Sequence, residues 1–286
     1  MTNTSKGMSE RLQPGAAGRE FVFQAGDFER IRQLIHTHAG IVLAPVKQDM
    51  VYGRLARRLR ERGLKSFSEY VELVQRDKRE WEAFVNALTT NLTAFFRESH
   101  HFQFLEERLR AFSGGRTYAI WCCAASTGEE PYSLAITACE AGGSLRPAVS
   151  IVATDLNTSV LAEARRGVYP ADRLSALSAD QRARYFVADA AGVMRVRPEL
   201  QQLIRFEPLN LLDTNWSVRG PFDAIFCRNV MIYFDKPTQL RILERFRPLL
   251  RPDGLLFAGH SESFLHAANL FRPLGRTVYQ RQDPAS

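Results

Sequence analysis

The feature that most constrains this chain is the alternation of short apolar runs with amphipathic helical segments in its C-terminal two thirds. The apolar runs occupy 117–123, 149–154, 222–227, 255–259 and 277–281, and helical patterns occupy 131–141, 159–166 and 236–250. Strands that alternate with helices indicate an α/β fold with a mostly parallel, doubly wound sheet. Such sheets bind ligands at the carboxyl ends of their strands, so a site is expected in the loops there.

The N-terminal part lacks this alternation and carries only helical patterns. Phe28, Ile31 and Ile35 recur at the spacing of one helix face, and Val51 and Leu55 begin a second apolar stripe. These patterns predict an all-α domain over 21–95, preceded by a disordered tail at 1–20 and followed by a Rossmann-like domain over 96–284. Within the latter, 169–206 interrupts the alternation and predicts a small inserted β-subdomain with a hairpin near Val193.

A formal net charge of +7 indicates acidic partners, and the charge is uneven. Nine Lys and Arg residues fall between Arg30 and Lys65, against two acidic residues. Two interpretations remain open, namely a docking surface for an acidic partner and a solvated helix face. The candidate docking residues form a stripe on one helix: Arg54, Arg57, Arg58 and Arg62.

Membrane spans, secretion and metal binding find no support in the sequence. No apolar run approaches the ~20 residues that cross a bilayer, and the first 18 residues lack the apolar segment of a signal peptide. The four cysteines show no zinc-binding spacing and lie among apolar or small residues, which predicts buried free thiols. We therefore expect a cytoplasmic protein without a metal.

The loop after the first strand carries small residues and then two glutamates, Glu129 and Glu130, directly before a helix. Gly128 in this loop permits an unusual φ. A phosphate at this helix N-terminus would meet both carboxylates, whereas a ligand with an ammonium group suits them. S-adenosylmethionine has an amine and a sulfonium and no phosphate. Asp155 ends the second strand, where a ribose diol is usually held. Asn210 follows 206–209, taken as the end of a third strand that precedes the run at 222–227, and an adenine edge is expected there.

The loop after the fourth strand is where a methyl acceptor would approach. Methyltransferases that act on amide or base nitrogens often have an Asn/Asp-Pro-Pro-Tyr stretch here. This chain has Arg228, Asn229 and Tyr233 instead, which suits a carboxylate better than an amine.

At this point the sequence strongly resembles the chemotaxis receptor methyltransferases, the CheR family, over nearly its whole length. The motifs that carry the resemblance are NLTAFFR at 91–97, STGEEPYS at 126–133, FDAIFCRNVMIYFD at 222–235 and GLLFAGHSE at 254–262. The resemblance implies a helical N-terminal domain, a Rossmann-like catalytic domain with an inserted β-subdomain, and transfer of methyl groups from S-adenosylmethionine to receptor glutamates, leaving S-adenosylhomocysteine.

Carried over motif by motif, the resemblance also implies site residues. Arg97 and Tyr233 would lie nearest the transferred methyl group, and the basic N-terminal helix would face the methylation helices of the receptor. The implied cofactor contacts are Asn91, Thr93, Arg97, Glu129, Asp155, Asn210, Leu211, Arg228 and Asn229.

One departure from the family pattern concerns partners. Members that tether to a peptide at the receptor's C-terminus carry a longer, glycine-rich loop in the β-subdomain, whereas here the loop is only about 188–192 with one glycine. We therefore expect a monomer that docks directly on the receptor without a tether. The rival hypotheses are a nucleic-acid methyltransferase that uses the basic helix to contact phosphates, and a cofactor-binding regulator without activity.

Overall fold

The computed structural model of this protein describes residues 19–190 and 192–282. All but the last two residues of the tail predicted at 1–20 lie outside that part of the chain. Across the described residues, no helix is both long enough and apolar enough to cross a membrane.

The N-terminal domain consists of helices whose apolar faces meet in one cluster. Gln24 and Asp27 cap the first helix reciprocally, and the second ends at Gly63 in the left-handed conformation that glycine tolerates. The helices are α1 (Ala25–Ala39), α2 (Gln48–Arg62), α3 (Phe67–Arg76) and α4 (Lys78–Leu88). Fully buried side chains of the cluster include Ile31, Ile35, Val51, Leu55, Leu59, Phe67, Tyr70 and Phe84.

A buried carboxylate ties three of these helices together. Glu80 on α4 is 0% exposed, and it accepts hydrogen bonds from Arg58 on α2 at 3.0 and 2.8 Å and from the Tyr70 hydroxyl on α3 at 3.0 Å. Arg62 donates to it as well. Burial alone would raise the pKa of Glu80, but these hydrogen bonds outweigh it and lower the pKa.

The last part of the domain predicted over 21–95 contains no regular helix, and the boundary at 95 stays a prediction. Regular helix ends at Leu88, and 89–99 form an irregular segment before α5 (His100–Ala111). Two residues of this segment, Phe96 and Glu98, have positive φ values of 52° and 57° although neither is a glycine. Such left-handed conformations persist only where surrounding contacts hold them.

The catalytic domain follows the predicted alternation. Its first half contains β1 (Tyr118–Cys122), α6 (Glu129–Gly142), β2 (Val149–Asp155) and α7 (Thr158–Arg166). An inserted subdomain then contributes β3 (Val168–Pro170), α8 (Ala179–Tyr185), β4 (Phe186–Ala188), β5 (Val193–Val196) and α9 (Pro198–Gln201). The second half contains β6 (Ile204–Pro208), β7 (Phe222–Cys227), α10 (Lys236–Leu249), β8 (Leu250–Ala258), β9 (Phe271–Gly275) and β10 (Val278–Arg281).

The large sheet has the order β6-β2-β1-β7-β8-β10-β9. Its strands are parallel except β10, which runs antiparallel to both β8 and β9. β1 pairs with β2 on one side and with β7 on the other, so the strand order reverses at β1. This reversal creates the crevice where ligands bind in doubly wound sheets, and it confirms the predicted α/β architecture.

The inserted subdomain is a three-stranded antiparallel sheet in the order β3-β5-β4. Its helix α8 begins after Ser178, whose hydroxyl accepts a hydrogen bond from the Gln181 backbone at 3.1 Å. The hairpin loop joins Ala188 to Val193, and its residue 191 lies outside the described part. The loop is as short as the sequence predicts, and absence of a tether stays a prediction.

Replacing Glu80 tests the role of the buried carboxylate. We expect Glu80→Ala to lower the free energy of unfolding by about 3 kcal/mol, because it leaves the Tyr70 hydroxyl and two guanidinium groups without their shared acceptor. Urea denaturation followed by circular dichroism measures the change. Glu61→Ala is the control: its carboxylate is 41% exposed and pairs with Arg57 and Arg58, so a loss below about 1 kcal/mol is expected. Equal losses would contradict this assignment.

Candidate active site

A cavity of about 270 Å³ lies where β1, β2 and β7 end, closed on its other side by the N-terminal domain and the segment 89–99. The N-terminal domain contributes Ala39, the segment 41–44 and Lys47 to its wall. The cavity collects most of the site residues predicted from the sequence. Those that line it are Asn91, Thr93, Arg97, Asp155, Asn210, Leu211, Arg228, Asn229 and Tyr233.

The turn from β1 into α6 depends on Gly128, whose φ is +102°, as the sequence predicts. A Cβ at this position would lie 2.6 Å from the Tyr169 hydroxyl and 3.0 Å from Ala164 Cβ, so glycine alone fits. Glu130 follows, lines the cavity, and forms a buried ion pair with Arg228 at 2.7 Å. Since this ion pair neutralises the carboxylate at the helix N-terminus, the preference for an ammonium group over a phosphate stays a prediction.

Glu129 is placed differently from the other predicted cofactor contacts. It is 1% exposed and is not among the residues that line the cavity. Its carboxylate accepts hydrogen bonds from the Thr127 hydroxyl at 2.6 Å and from Arg173 of the inserted subdomain at 3.1 Å. Cofactor contact by Glu129 therefore stays a prediction from the family resemblance.

Asp155 presents a half-buried carboxylate at the end of β2. One oxygen accepts a hydrogen bond from the Ser126 backbone and the other from the Asn157 backbone, each at 2.8 Å, and the Leu156 backbone donates to the carboxylate as well. Desolvation nevertheless raises the pKa of Asp155 to about 6. The carboxylate retains a lone pair for a further donor such as a ribose hydroxyl.

Asn210 and Leu211 form the wall that follows β6. The Asn210 amide donates to the His38 carbonyl at 2.8 Å and accepts from the Leu212 backbone at 3.0 Å. Asn210 therefore ties the catalytic domain to the end of α1 while it lines the cavity. Whether it also meets an adenine edge stays a prediction.

Arg97 lies between the two strained residues of the segment 89–99. Its side chain donates to the Leu92 carbonyl at 2.9 Å, and its carbonyl accepts a hydrogen bond from Arg228 at 2.5 Å. On one side, the Phe96 backbone donates to the Ser133 hydroxyl at 2.9 Å. On the other, Glu98 lies 3.2 Å from Arg228. Burial would raise the pKa of Glu98, but the charge of Arg228 and the hydrogen bonds that Glu98 accepts together outweigh it and lower the pKa. These contacts hold the backbone of Arg97.

The loop after β7 is organised by a carboxylate that the sequence argument missed. Glu262 is 5% exposed and accepts hydrogen bonds from the backbone of Asn229 and Val230 at 3.0 Å and of Met231 at 2.8 Å. The Gly259 backbone donates to it as well. Glu262 thereby fixes the loop that leads to Tyr233. The sequence shows Glu262 within the GLLFAGHSE motif, but it does not show which backbone groups donate hydrogen bonds to Glu262.

The comparisons with known proteins agree with this geometry. Residues 26–89 match the CheR methyltransferase all-alpha domain, and residues 91–280 match the CheR methyltransferase SAM binding domain.

This chain belongs to the CheR methyltransferase family.

Curated CheR relatives match along most of their length. Chemotaxis protein methyltransferase 2 of Pseudomonas aeruginosa is 53% identical over 93% of this chain and 96% of its own. The chemotaxis protein methyltransferase of Escherichia coli K12 is 53% identical over 88% of this chain and 89% of its own. The match to the solved structure of the DhpI-SAH complex covers 66% of this chain and 70% of that chain, with 17% sequence identity and a TM-score of 0.34. The chain is thus an S-adenosylmethionine-dependent methyltransferase.

The cavity fits this cofactor. Asp155 offers an acceptor for a ribose hydroxyl, and the wall is largely apolar, as a nucleoside and a sulfonium require. The residues that would hold the cofactor are those predicted above, of which all but Glu129 line the cavity. The domain boundary at 95 remains a prediction beside the family matches, which change over between residues 89 and 91.

The predicted docking arginines do not form a free basic stripe. Arg54 donates to the carbonyls of Ala87 and Thr89 at 3.2 and 2.7 Å, and Arg58 and Arg62 bind Glu80. Arg57 is the most exposed, with a side chain 78% accessible and paired with Glu61. Receptor docking by this helix stays a prediction, and the structure leaves Arg57 as its most accessible member.

Among the described residues, Glu98, His100 and His101 bring potential metal ligands together. The Arg228 guanidinium lies 3.2 Å from the same Glu98 carboxylate and competes with any cation for it. His101 is fully buried and contacts the Arg276 carbonyl at 2.9 Å, and burial together with Arg228 lowers its pKa to about 4. The cluster therefore holds the Arg97 segment against the sheet and makes a poor cation site.

The raised pKa of Asp155 predicts a pH dependence of cofactor binding. A protonated Asp155 loses an acceptor, so affinity for S-adenosylhomocysteine should weaken as pH falls through about 6 and stay constant above pH 7.5. Isothermal titration calorimetry from pH 5 to 8 measures this change. Asp155→Asn should bind weakly at every pH and lose the titration. A titration that survives in Asp155→Asn would assign it to another group.

Glu262 is expected to be indispensable for the loop that carries Tyr233. Glu262→Gln places an amide N–H₂ among backbone donors, so it should lower the free energy of unfolding by at least about 2 kcal/mol. Methyl transfer should fall with it, because the loop loses its anchor. Thermal denaturation and initial rates measure both effects. The control is Glu244→Gln on α10, which should change neither. Wild-type stability and rate in Glu262→Gln would refute the anchoring role.

Proposed function

We propose that this protein transfers methyl groups from S-adenosylmethionine to glutamate side chains of chemoreceptors, forming methyl esters for chemotactic adaptation. The observation that carries the proposal is that Arg97 and Tyr233 both line the same cofactor-sized cavity. Relatives at 53% identity carry the name chemotaxis protein methyltransferase, which supports chemoreceptors as substrates.

The acceptor's chemistry determines what the protein must supply. A glutamate carboxylate is already ionised at neutral pH, so the reaction needs no general base. S-adenosylmethionine supplies an electrophilic methyl group on a sulfonium. The side chains of the site therefore act by orienting the acceptor and excluding water, and proximity provides most of the rate.

Arg97 suits the orienting role. A guanidinium keeps its charge at every accessible pH, and in the described part of the chain only one of its terminal nitrogens has a hydrogen-bond acceptor, the Leu92 carbonyl. The remaining donors can receive an incoming carboxylate. A tight bidentate pair would weaken the nucleophile, so loose orientation is the productive arrangement.

Tyr233 and Phe234 complete the acceptor side of the cavity. The hydroxyl of Tyr233 is a neutral donor that can position a carboxylate without neutralising it. Phe234 is 9% exposed and lines the cavity, as expected for a residue that excludes water. Phe95 packs into the core against Tyr169 and Phe186 and does not line the cavity.

A nucleic-acid methyltransferase is not favoured. That hypothesis depended on a basic helix free to contact phosphates, and three of the four arginines in its predicted docking stripe are engaged within the protein. The acceptor loop also lacks the Pro-Pro-Tyr stretch.

Labelled methyl transfer to receptor-containing membranes tests the proposal. Mild alkali should release the label as methanol, since a carboxyl ester is base-labile. Arg97→Ala should lower turnover by on the order of 100-fold, because the acceptor is no longer oriented, and Arg97→Lys should retain part of it. Base-stable label, or near-normal turnover in Arg97→Ala, would overturn the respective part of the proposal.

A further inference from the structure

Half of the prominently exposed apolar side chains belong to segments that contribute to the cavity wall. Eight large hydrophobic residues are prominently exposed in the described part of the chain. Four of them, which we call the apolar rim, belong to segments that form the cavity wall: Val42, Val46, Leu92 and Ile232. Val42 and Leu92 line the cavity, and Val46 and Ile232 adjoin the lining residues Lys47 and Tyr233 in sequence.

The apolar rim combines residues from both domains. Val42 and Val46 belong to the loop between α1 and α2, and the Val42 backbone donates to the Tyr233 carbonyl at 2.9 Å. Leu92 stands in the segment 89–99 and Ile232 in the loop after β7. Leu92 and Val46 are 80% and 84% exposed, far above what core packing would leave. Isolated exposed hydrophobics are common, but a group around one opening marks a contact surface.

The charges at this opening are those that suit an anionic acceptor. Lys47 and Arg97 both line the cavity. Over residues 19–190 and 192–282, Lys47 makes no ion pair, and the nearest acidic group to Arg97 is Glu98 at 4.0 Å. The rim therefore offers apolar contacts beside a cavity wall in which the cationic side chains of Lys47, Arg97 and Arg228 outnumber the acidic ones of Glu130 and Asp155. This pattern is complementary to a carboxylate flanked by apolar side chains.

An acceptor glutamate can reach Arg97 and Tyr233 only if the residues around it lie on this rim. On a helix, side chains three or four positions away stand about 5–6 Å from the acceptor on the same face. An amphipathic helix would therefore bring its neighbouring apolar side chains onto the rim as the carboxylate enters.

We propose that the apolar rim is the docking surface for an amphipathic receptor helix, and that it recognises apolar residues one turn from the acceptor glutamate. The inference rests on the proposed function and names what the same site recognises beyond the carboxylate. It also moves receptor recognition from the arginines of α2, most of which are bound internally, to the loops at the cavity mouth.

Serine substitutions in the rim test this inference with the full-length protein. At saturating cofactor, Ile232→Ser and Val46→Ser should each raise the KM for receptor-containing membranes by about tenfold, because each removes the burial of one aliphatic side chain. Neither side chain lines the cavity, so turnover at saturating receptor and affinity for S-adenosylhomocysteine should change little. Matched controls are Leu265→Ser and Val22→Ser, at residues 73% and 72% exposed in segments that contribute nothing to the cavity wall, and both should keep the wild-type KM.

The outcomes separate the two proposals. Absence of base-labile methyl transfer by the wild-type protein would refute the proposed function. Normal transfer by the wild type with an unchanged KM in both rim variants would refute the rim alone. A raised KM in Arg57→Ala but not in the rim variants would place docking on the basic helix instead. A raised KM in rim and control variants alike would show that the effect is not local, and would also overturn the rim.

Discussion

The site depends on one buried cation, the guanidinium of Arg228 directly after β7. It is 3% exposed and binds the Glu130 carboxylate, the Glu98 carboxylate and the Arg97 carbonyl together. A buried charge without these partners would cost several kcal/mol, so the network must form as a unit. It connects the start of α6, the end of β7 and the strained segment that presents Arg97. The position of the Arg97 backbone is thus fixed by the sheet itself.

The architecture could be predicted from the sequence because it follows from hydrophobic periodicity. Apolar runs at strand length and helical stripes between them predicted the strand and helix order, and Gly128 predicted the turn at the cofactor site. The family motifs predicted the cofactor contacts residue by residue, and all of those residues except Glu129 line the cavity. The strand β9 was missed, because Phe271–Gly275 contains a proline and shows no alternation.

Partner choice among charged side chains could not be predicted. The stripe of arginines on α2 was visible, but its meaning depended on Glu80, which lies on a different helix 18 to 26 residues further along the chain. The same holds for Glu262, whose backbone partners are about 30 residues away in sequence. A linear pattern records which charges a helix carries, and only the packed structure shows which of them are already neutralised.

The two domains build the site jointly. Val42 donates to the carbonyl of Tyr233, Asn210 donates to the carbonyl of His38, and a Cβ on Gly40 would lie 2.8 Å from the Leu212 side chain. The helical domain therefore packs directly against the loops after β6 and β7, and it forms one wall of the cavity. A sheet with the same carboxyl-terminal loops but without this domain would leave the cavity open to water, which weakens electrostatic orientation of a carboxylate. The helical domain thus belongs to the active site, apart from any part it has in docking.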